Sequence, residues 1–164
     1  MLLFLLHVAR RLQISKSVFP HSTLSESPFL HHHRNIAVCS AHALAEVNRL
    51  RDQEGHDIRA AVASKTDEPQ WARVCMDYLV AADGLSLSHC FGDLVEIAYS
   101  NKKEHLRRLH KTTGIPYEQM VFFDNEHYNI TSVQQLGVKC IYTPDGMTTE
   151  HWEEAKQKFG MSSL

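Results

Sequence analysis

Four polar residues stand where an apolar or helical stretch meets a loop: Ser64 and Lys65 after IRAAVA, Lys102 ahead of KEHLRRL, and Asp124 directly after MVFF. Amides at the start of a helix have no internal acceptor, so a hydroxyl beside them in a strand-to-helix turn can hold phosphate oxygens, and Ser64 suits that role. Lys102 supplies a mobile positive charge able to offset a phosphate or an attacking carboxylate. Asp124 offers a hard oxygen to magnesium, which keeps several waters and takes only one or two carboxylates from a protein. Together these are the parts of a magnesium-assisted phosphoryl-transfer site. Each also has a plainer reading: Ser64 as a turn or cap residue, Lys102 as a solvated lysine, Asn125 and Glu126 as caps of the next helix. Asp124 carries more weight, because a carboxylate at the mouth of a buried strand needs a partner or a hydrated site.

The elements that must position these residues follow from periodicity. Ala43 to Glu54 reads as a helix with Ala43, Val47 and Leu50 on one side, ended by Gly55. Ile58 to Ala63 reads as a strand whose small, nearly unbroken apolar character suits a sheet covered on both faces. Trp71, Val74, Cys75, Tyr78 and Leu79 share one face of a helix over Glu68 to Leu79, capped by Asp67. Cys90 to Ile97 reads as a strand, Lys103 to Thr112 as a helix stopped by Gly114, and Met120 to Phe123 as a compact strand. A short helix to Gly137, a strand over Val138 to Tyr142 and an amphipathic helix carrying Trp152, Ala155 and Phe159 complete the pattern. Strand alternating with helix implies an α/β fold with a mainly parallel sheet between helical layers. Each crossover brings the next strand's carboxyl end to the same edge, where open α/β sheets keep their ligand sites.

At 164 residues and 43% hydrophobic, the chain has the length of one ordinary domain and the means to bury a core. A formal charge of −2 gives no global footprint for nucleic acid. RRLHK, residues 107–111, shares a helix with inward Leu106 and Leu109 and has no interleaved aromatic platform, so no nucleic-acid partner is expected. Cys39, Cys75, Cys90 and Cys140 form no C-x-x-C pair and read as neutral core thiols. His31, His32 and His33 are adjacent, and neighbouring histidines rarely converge on one ion. The apolar opening breaks at His7, far short of the roughly 20 residues a membrane span requires. Residues 1–45 hold Arg10, Arg11, Lys16 and Arg34 against the single acid Glu26, with Ser15, Ser17, Ser22, Ser25 and Ser27 among them. That bias suits an organellar targeting segment as well as a loop-rich start to a cytoplasmic domain.

AVASKTDEP, SNKKEH, RLHKTTGIPYEQMVFFDNEHYNI and LGVKCIYTPDGM closely resemble the magnesium-dependent phosphatase-1 group of the haloacid dehalogenase (HAD) superfamily. The resemblance covers roughly residues 40–160. It implies a Rossmannoid three-layer sandwich with no large cap domain, a magnesium cofactor and a monomeric phosphomonoester hydrolase. Its substrate would be a phosphorylated small molecule of the sugar-phosphate type or a phosphotyrosine-bearing protein. By that resemblance Ser64 and Lys65 contact the substrate phosphate, Lys102 is the charge-stabilising lysine, and Asp124 is the late magnesium ligand. On this reading residues 41–160 form the phosphatase domain. Residues 1–40 are an atypical segment holding either a degenerate first strand at 2–8 or a targeting sequence.

The departure from the family is as informative as the match. Members carry D-x-D-x-T on the first strand, the first Asp attacking phosphorus and the second acting as general acid. No D-x-D occurs in this chain. One alignment places residues 2–9 on that strand, with Leu5 at the nucleophile position and His7 at the acid position. Leucine can neither form an acyl phosphate nor bind magnesium. Asn125 likewise replaces the second acid of the family's paired aspartates, keeping hydrogen-bonding capacity but losing a charge. Three accounts follow: a catalytically reduced member that binds a phosphorylated ligand or a protein, a chain whose true beginning differs, or an enzyme with another nucleophile.

Overall fold

The computed structural model describes residues 2–6 and 29–161, with side chains described from Cys39 onward. Five parallel strands form one sheet: β1 (Leu2–Leu6), β2 (Ile58–Ser64), β3 (Val95–Ile97), β4 (Met120–Asp124) and β5 (Lys139–Tyr142). Their spatial order is β3-β2-β1-β4-β5. The run LLFLL of β1 therefore occupies the centre, level with Ile58 to Val62 on one side and with Met120 to Phe123 on the other. A strand bonded on both edges and covered on both faces has to be apolar, and this run is. His7 lies outside the described residues, as does most of the segment with the targeting bias.

Side chains of successive residues leave a strand on opposite faces, and β2 and β4 show it. Ala60, Val62, Val121 and Phe123 pack with Ala43, Leu44, Val47 and Leu50 of α1 (Phe29–Asp52) and with Trp152 and Ala155 of α6 (Thr149–Lys158). Met76 of α2 (Pro69–Tyr78) and Cys90 and Phe91 of α3 (Leu87–Phe91) join the same layer. On the opposite face Ala61, Ala63, Met120 and Phe122 meet Leu106 and Leu109 of α4 (Lys102–Thr113) and Ile130 and Val133 of α5 (His127–Gln134). The result is a three-layer α/β sandwich, and no separate cap domain interrupts it among the described residues. None of its helices is long and apolar enough to cross a membrane.

Three local expectations are corrected. Cys90 to Ile97 is not one strand: the Ser86 hydroxyl accepts the His89 amide at 3.2 Å and starts a helix over Leu87–Phe91, leaving only Val95–Ile97 extended. Gly92 ends that helix at φ 52 and ψ −127, a conformation closed to residues with a side chain. Asp67 does not cap α2; Glu68 holds the cap position without a side-chain bond, and the Thr66 hydroxyl accepts the Glu68 amide at 3.0 Å. The first helix begins at Phe29, well before the periodic stretch from Ala43. His31, His32 and His33 fall within its span, with side chains outside the described set.

Candidate functional site

Every strand points its carboxyl end to the same edge, so Ser64, Ile97, Asp124 and Tyr142 end their strands side by side. Lys102 is the first residue of α4, and Asn101 fixes that start. The Asn101 side chain accepts the Glu104 amide at 3.0 Å, satisfying a helix-end donor. Gly114, in the left-handed region at φ 68, closes the other end. So anchored, α4 lays its apolar side on the sheet and carries the Lys102 ammonium to the edge, where it donates to the Ala63 carbonyl.

The same ammonium lies 3.7 Å from Asp124 Oδ2, an ion pair beyond hydrogen-bond reach. Both side chains are essentially removed from solvent, at 2% and 0% exposure. Asp124 is held by further donors: its Oδ1 accepts the Glu126 amide at 2.7 Å, and Asn129 Nδ2 lies 3.1 Å from Oδ1 and 3.2 Å from Oδ2. The Asp124 carbonyl accepts the amide of buried Thr143 at 3.0 Å, tying the loop after β5 to the site. Burial pulls the Lys102 ammonium down to about 8, against the upward pull of Asp124, and the charge of Lys65 lowers it further. Burial, helped by the Asp124 charge, pushes the Cys140 thiol on the neighbouring strand up to about 12.

The structure thus brings Lys102 and Asp124 into one centre and sets Ser64 beside it, next to the carbonyl that Lys102 binds. Ser64 is buried at the end of β2, and its own carbonyl accepts the Ala98 amide at 3.1 Å. Lys65 is exposed, with its Nζ 4.8 Å from the centroid of the Tyr99 ring. Leu5 stands inside the sheet, level with Ala61 and Phe122, two residues before Asp124 in register. Asn101 and Asn129 escaped the sequence reading. Asn101 opens an N-x-x-E pattern, a recognisable helix start; Asn129 gives no comparable signal, because the turn from Asp124 into α5 brings it back onto the carboxylate.

The donor set at Asp124 suits a hard cation. Asn125 Oδ1, on the residue after Asp124, is buried and has no hydrogen-bond partner among the described residues, leaving an amide oxygen available to a ligand. One carboxylate, one amide oxygen and waters is a set that magnesium accepts.

The family model for acid phosphatases matches residues 23–161. The chain belongs to that family. The match begins after β1, so it covers β2 to β5 and not the central strand. Among curated relatives of this acid phosphatase-family chain, the human magnesium-dependent phosphatase 1 is 32% identical over 130 residues, spanning 67% of this chain and 69% of that protein. A HAD-like hydrolase superfamily protein of Schizosaccharomyces pombe is 33% identical over 91 residues, spanning 54% and 52%. A protein described as a predicted HAD-like family hydrolase, from Porphyromonas gingivalis, superposes with a TM-score of 0.50 at 20% identity, over 71% of this chain and 55% of that one. The chain thus spans about half the length of the yeast relative and of the bacterial structure, and just over two thirds of the human one. A HAD-like hydrolase relationship and an α/β Rossmannoid fold follow.

Proposed function

We propose that the carboxyl edge of the sheet is a magnesium-assisted phosphomonoester site, of the phosphotyrosine or sugar-phosphate type, whose hydrolytic power is impaired in this chain. The observation that carries the reading is the buried Lys102–Asp124 pair, set on the Ala63 carbonyl where β2 and β4 flank the central strand. Asp124 and the unpartnered Asn125 oxygen would hold the magnesium, which when bound offsets charge on the phosphate oxygens. Lys102 contributes a fixed positive charge from a site largely shielded from water, where electrostatic interactions are strongest. Ser64 and Lys65 contact the phosphate from the neighbouring turn.

Impairment rests on β1. Residues 2–6 fill the central strand with leucine and phenylalanine, and none of them carries a carboxylate to attack phosphorus. The same observation favours a second reading, a phosphate-binding or protein-interaction domain of this family without turnover. A monomeric state and cytoplasmic residence belong to the same proposal, the latter since cleavage of a targeting segment at the start would remove the central strand β1.

Two measurements on the full chain test this. Titration of magnesium, then of inorganic phosphate, should show binding that Asp124→Asn removes while far-UV circular dichroism stays unchanged. Hydrolysis of para-nitrophenyl phosphate with magnesium should remain near the buffer rate. Failure of the folded protein to bind either ion refutes the site. Rapid hydrolysis abolished by Asp124→Asn refutes the impairment and establishes an enzyme.

A further inference from the structure

The loop after β3 and the turn after β2 are stitched together. Ser64 is level with Ile97 in the ladder, and the Ala98 amide then donates to the Ser64 carbonyl at 3.1 Å. The next residue on each side is therefore brought alongside its counterpart: Lys65 beyond Ser64, Tyr99 beyond Ala98. The Lys65 ammonium sits over the Tyr99 ring, 4.8 Å from its centroid. An exposed lysine normally spreads over many rotamers, and a ring face within about 6 Å attracts its cation through the negative π-face.

Tyr99 itself is 73% exposed, so its ring adds little to the core. An exposed aromatic at the functional edge, holding a lysine next to Ser64, asks for a reason other than packing. Lys102 donates to the carbonyl of Ala63, two residues before Lys65, so both cations stand at the carboxyl end of β2.

We propose that Tyr99 is a positioning residue for Lys65, holding its ammonium at the mouth of the phosphate site as a second, outer cation above Lys102. This rests on the phosphate-site reading above and deepens it. The tyrosine restricts the lysine before an anion arrives, so less ordering is required on binding. The aromatic face rather than the hydroxyl does this, and phenylalanine should serve equally.

The test uses the full chain with magnesium and inorganic phosphate, followed by isothermal titration. Tyr99→Phe should bind phosphate like the parent, whereas Tyr99→Leu should bind about two- to fivefold more weakly, the range expected of an exposed cation–π contact. Lys65→Met should weaken binding at least as much, and adding Tyr99→Leu to it should change nothing more. Equal binding by Tyr99→Leu and the parent, or additive losses in the double variant, would overturn the proposal. So would an equal loss in Tyr99→Phe.

A second readout is independent of phosphate. In protein with isotope-labelled, reductively methylated lysines, the Lys65 methyl resonance should be shifted by the ring current in the parent and in Tyr99→Phe. In Tyr99→Leu it should return to the solvated position. A Lys65 resonance at that position in the parent refutes the contact whether or not phosphate binds. A shifted resonance without any phosphate binding overturns the phosphate-site reading and this role with it, while leaving the ring contact standing.

Discussion

Replacing Lys102 with methionine removes the ammonium that the structure holds against Asp124 and the Ala63 carbonyl, and the consequence can be read from pH dependence alone. The folded protein holds this lysine at about 8, against an ordinary value of 10.5. Between those limits the unfolded chain keeps its proton while the folded chain has released it, so stability rises with pH. The contribution is fully present above 10.5 and is lost as pH falls through about 8. The gap corresponds to about 3 kcal/mol, approached at about 1.4 kcal/mol per pH unit inside the window. Urea unfolding of the parent and of Lys102→Met, in EDTA at pH 7, 8, 9 and 10, isolates the effect, because tyrosines and other lysines cancel in the difference. The parent should gain on the variant steadily from pH 8 to 10 and hold a constant difference below. A difference that stays flat from pH 8 to 10 would show that Lys102 titrates as an ordinary solvated lysine and would refute its burial against Asp124.

Asn101→Ala should cost about 1 kcal/mol by urea unfolding, the usual loss for a helix cap, and an unchanged midpoint would deny Asn101 its part in fixing α4. Asn125→Asp should raise magnesium affinity by adding a carboxylate, measured as a larger magnesium-induced rise in melting temperature; an unchanged response would place the metal away from this side chain. Cys140, held as a thiol by burial, should react far more slowly with iodoacetamide at pH 8 than a solvated cysteine, and labelling at the free-cysteine rate by mass spectrometry would contradict its place in β5.

How far the fold was legible depended on whether its determinants were local. IRAAVA and MVFF announce buried strands because both faces are covered, and the structure gives β2 and β4 almost those bounds. The edge strand β3 was blurred because its three residues are followed and preceded by turns, while the Ser86 cap that makes 87–91 helical is a single hydroxyl. The centre of the site was legible in type but not in arrangement. Lys102 and Asp124 stood out as charges at element ends, yet their contact depends on packing between α4 and the sheet. Asn129 and the Ala63 carbonyl became visible only with that packing, because neither residue has an unusual neighbour in the sequence.

Register is the other quantity that no periodicity supplies, and it sets where Leu5 stands relative to the Lys102–Asp124 pair. Leu5 is level with Ala61 and Phe122, and Leu6 with Val62 and Phe123. The Lys102 ammonium, by contrast, is anchored at Ala63 and Asp124, two residues beyond Leu5, or about 7 Å along a strand. A carboxylate introduced at Leu5 would therefore stand in the central strand level with Ala61 and Phe122, both fully buried, where an unpaired charge is strongly disfavoured. Leu5→Asp should lower the melting temperature and leave hydrolysis of para-nitrophenyl phosphate with magnesium at the parent's rate. A folded Leu5→Asp protein with new, magnesium-dependent hydrolysis would mean that β1 is shifted by two residues from the pairing seen here, and the account of the central strand would fall with it.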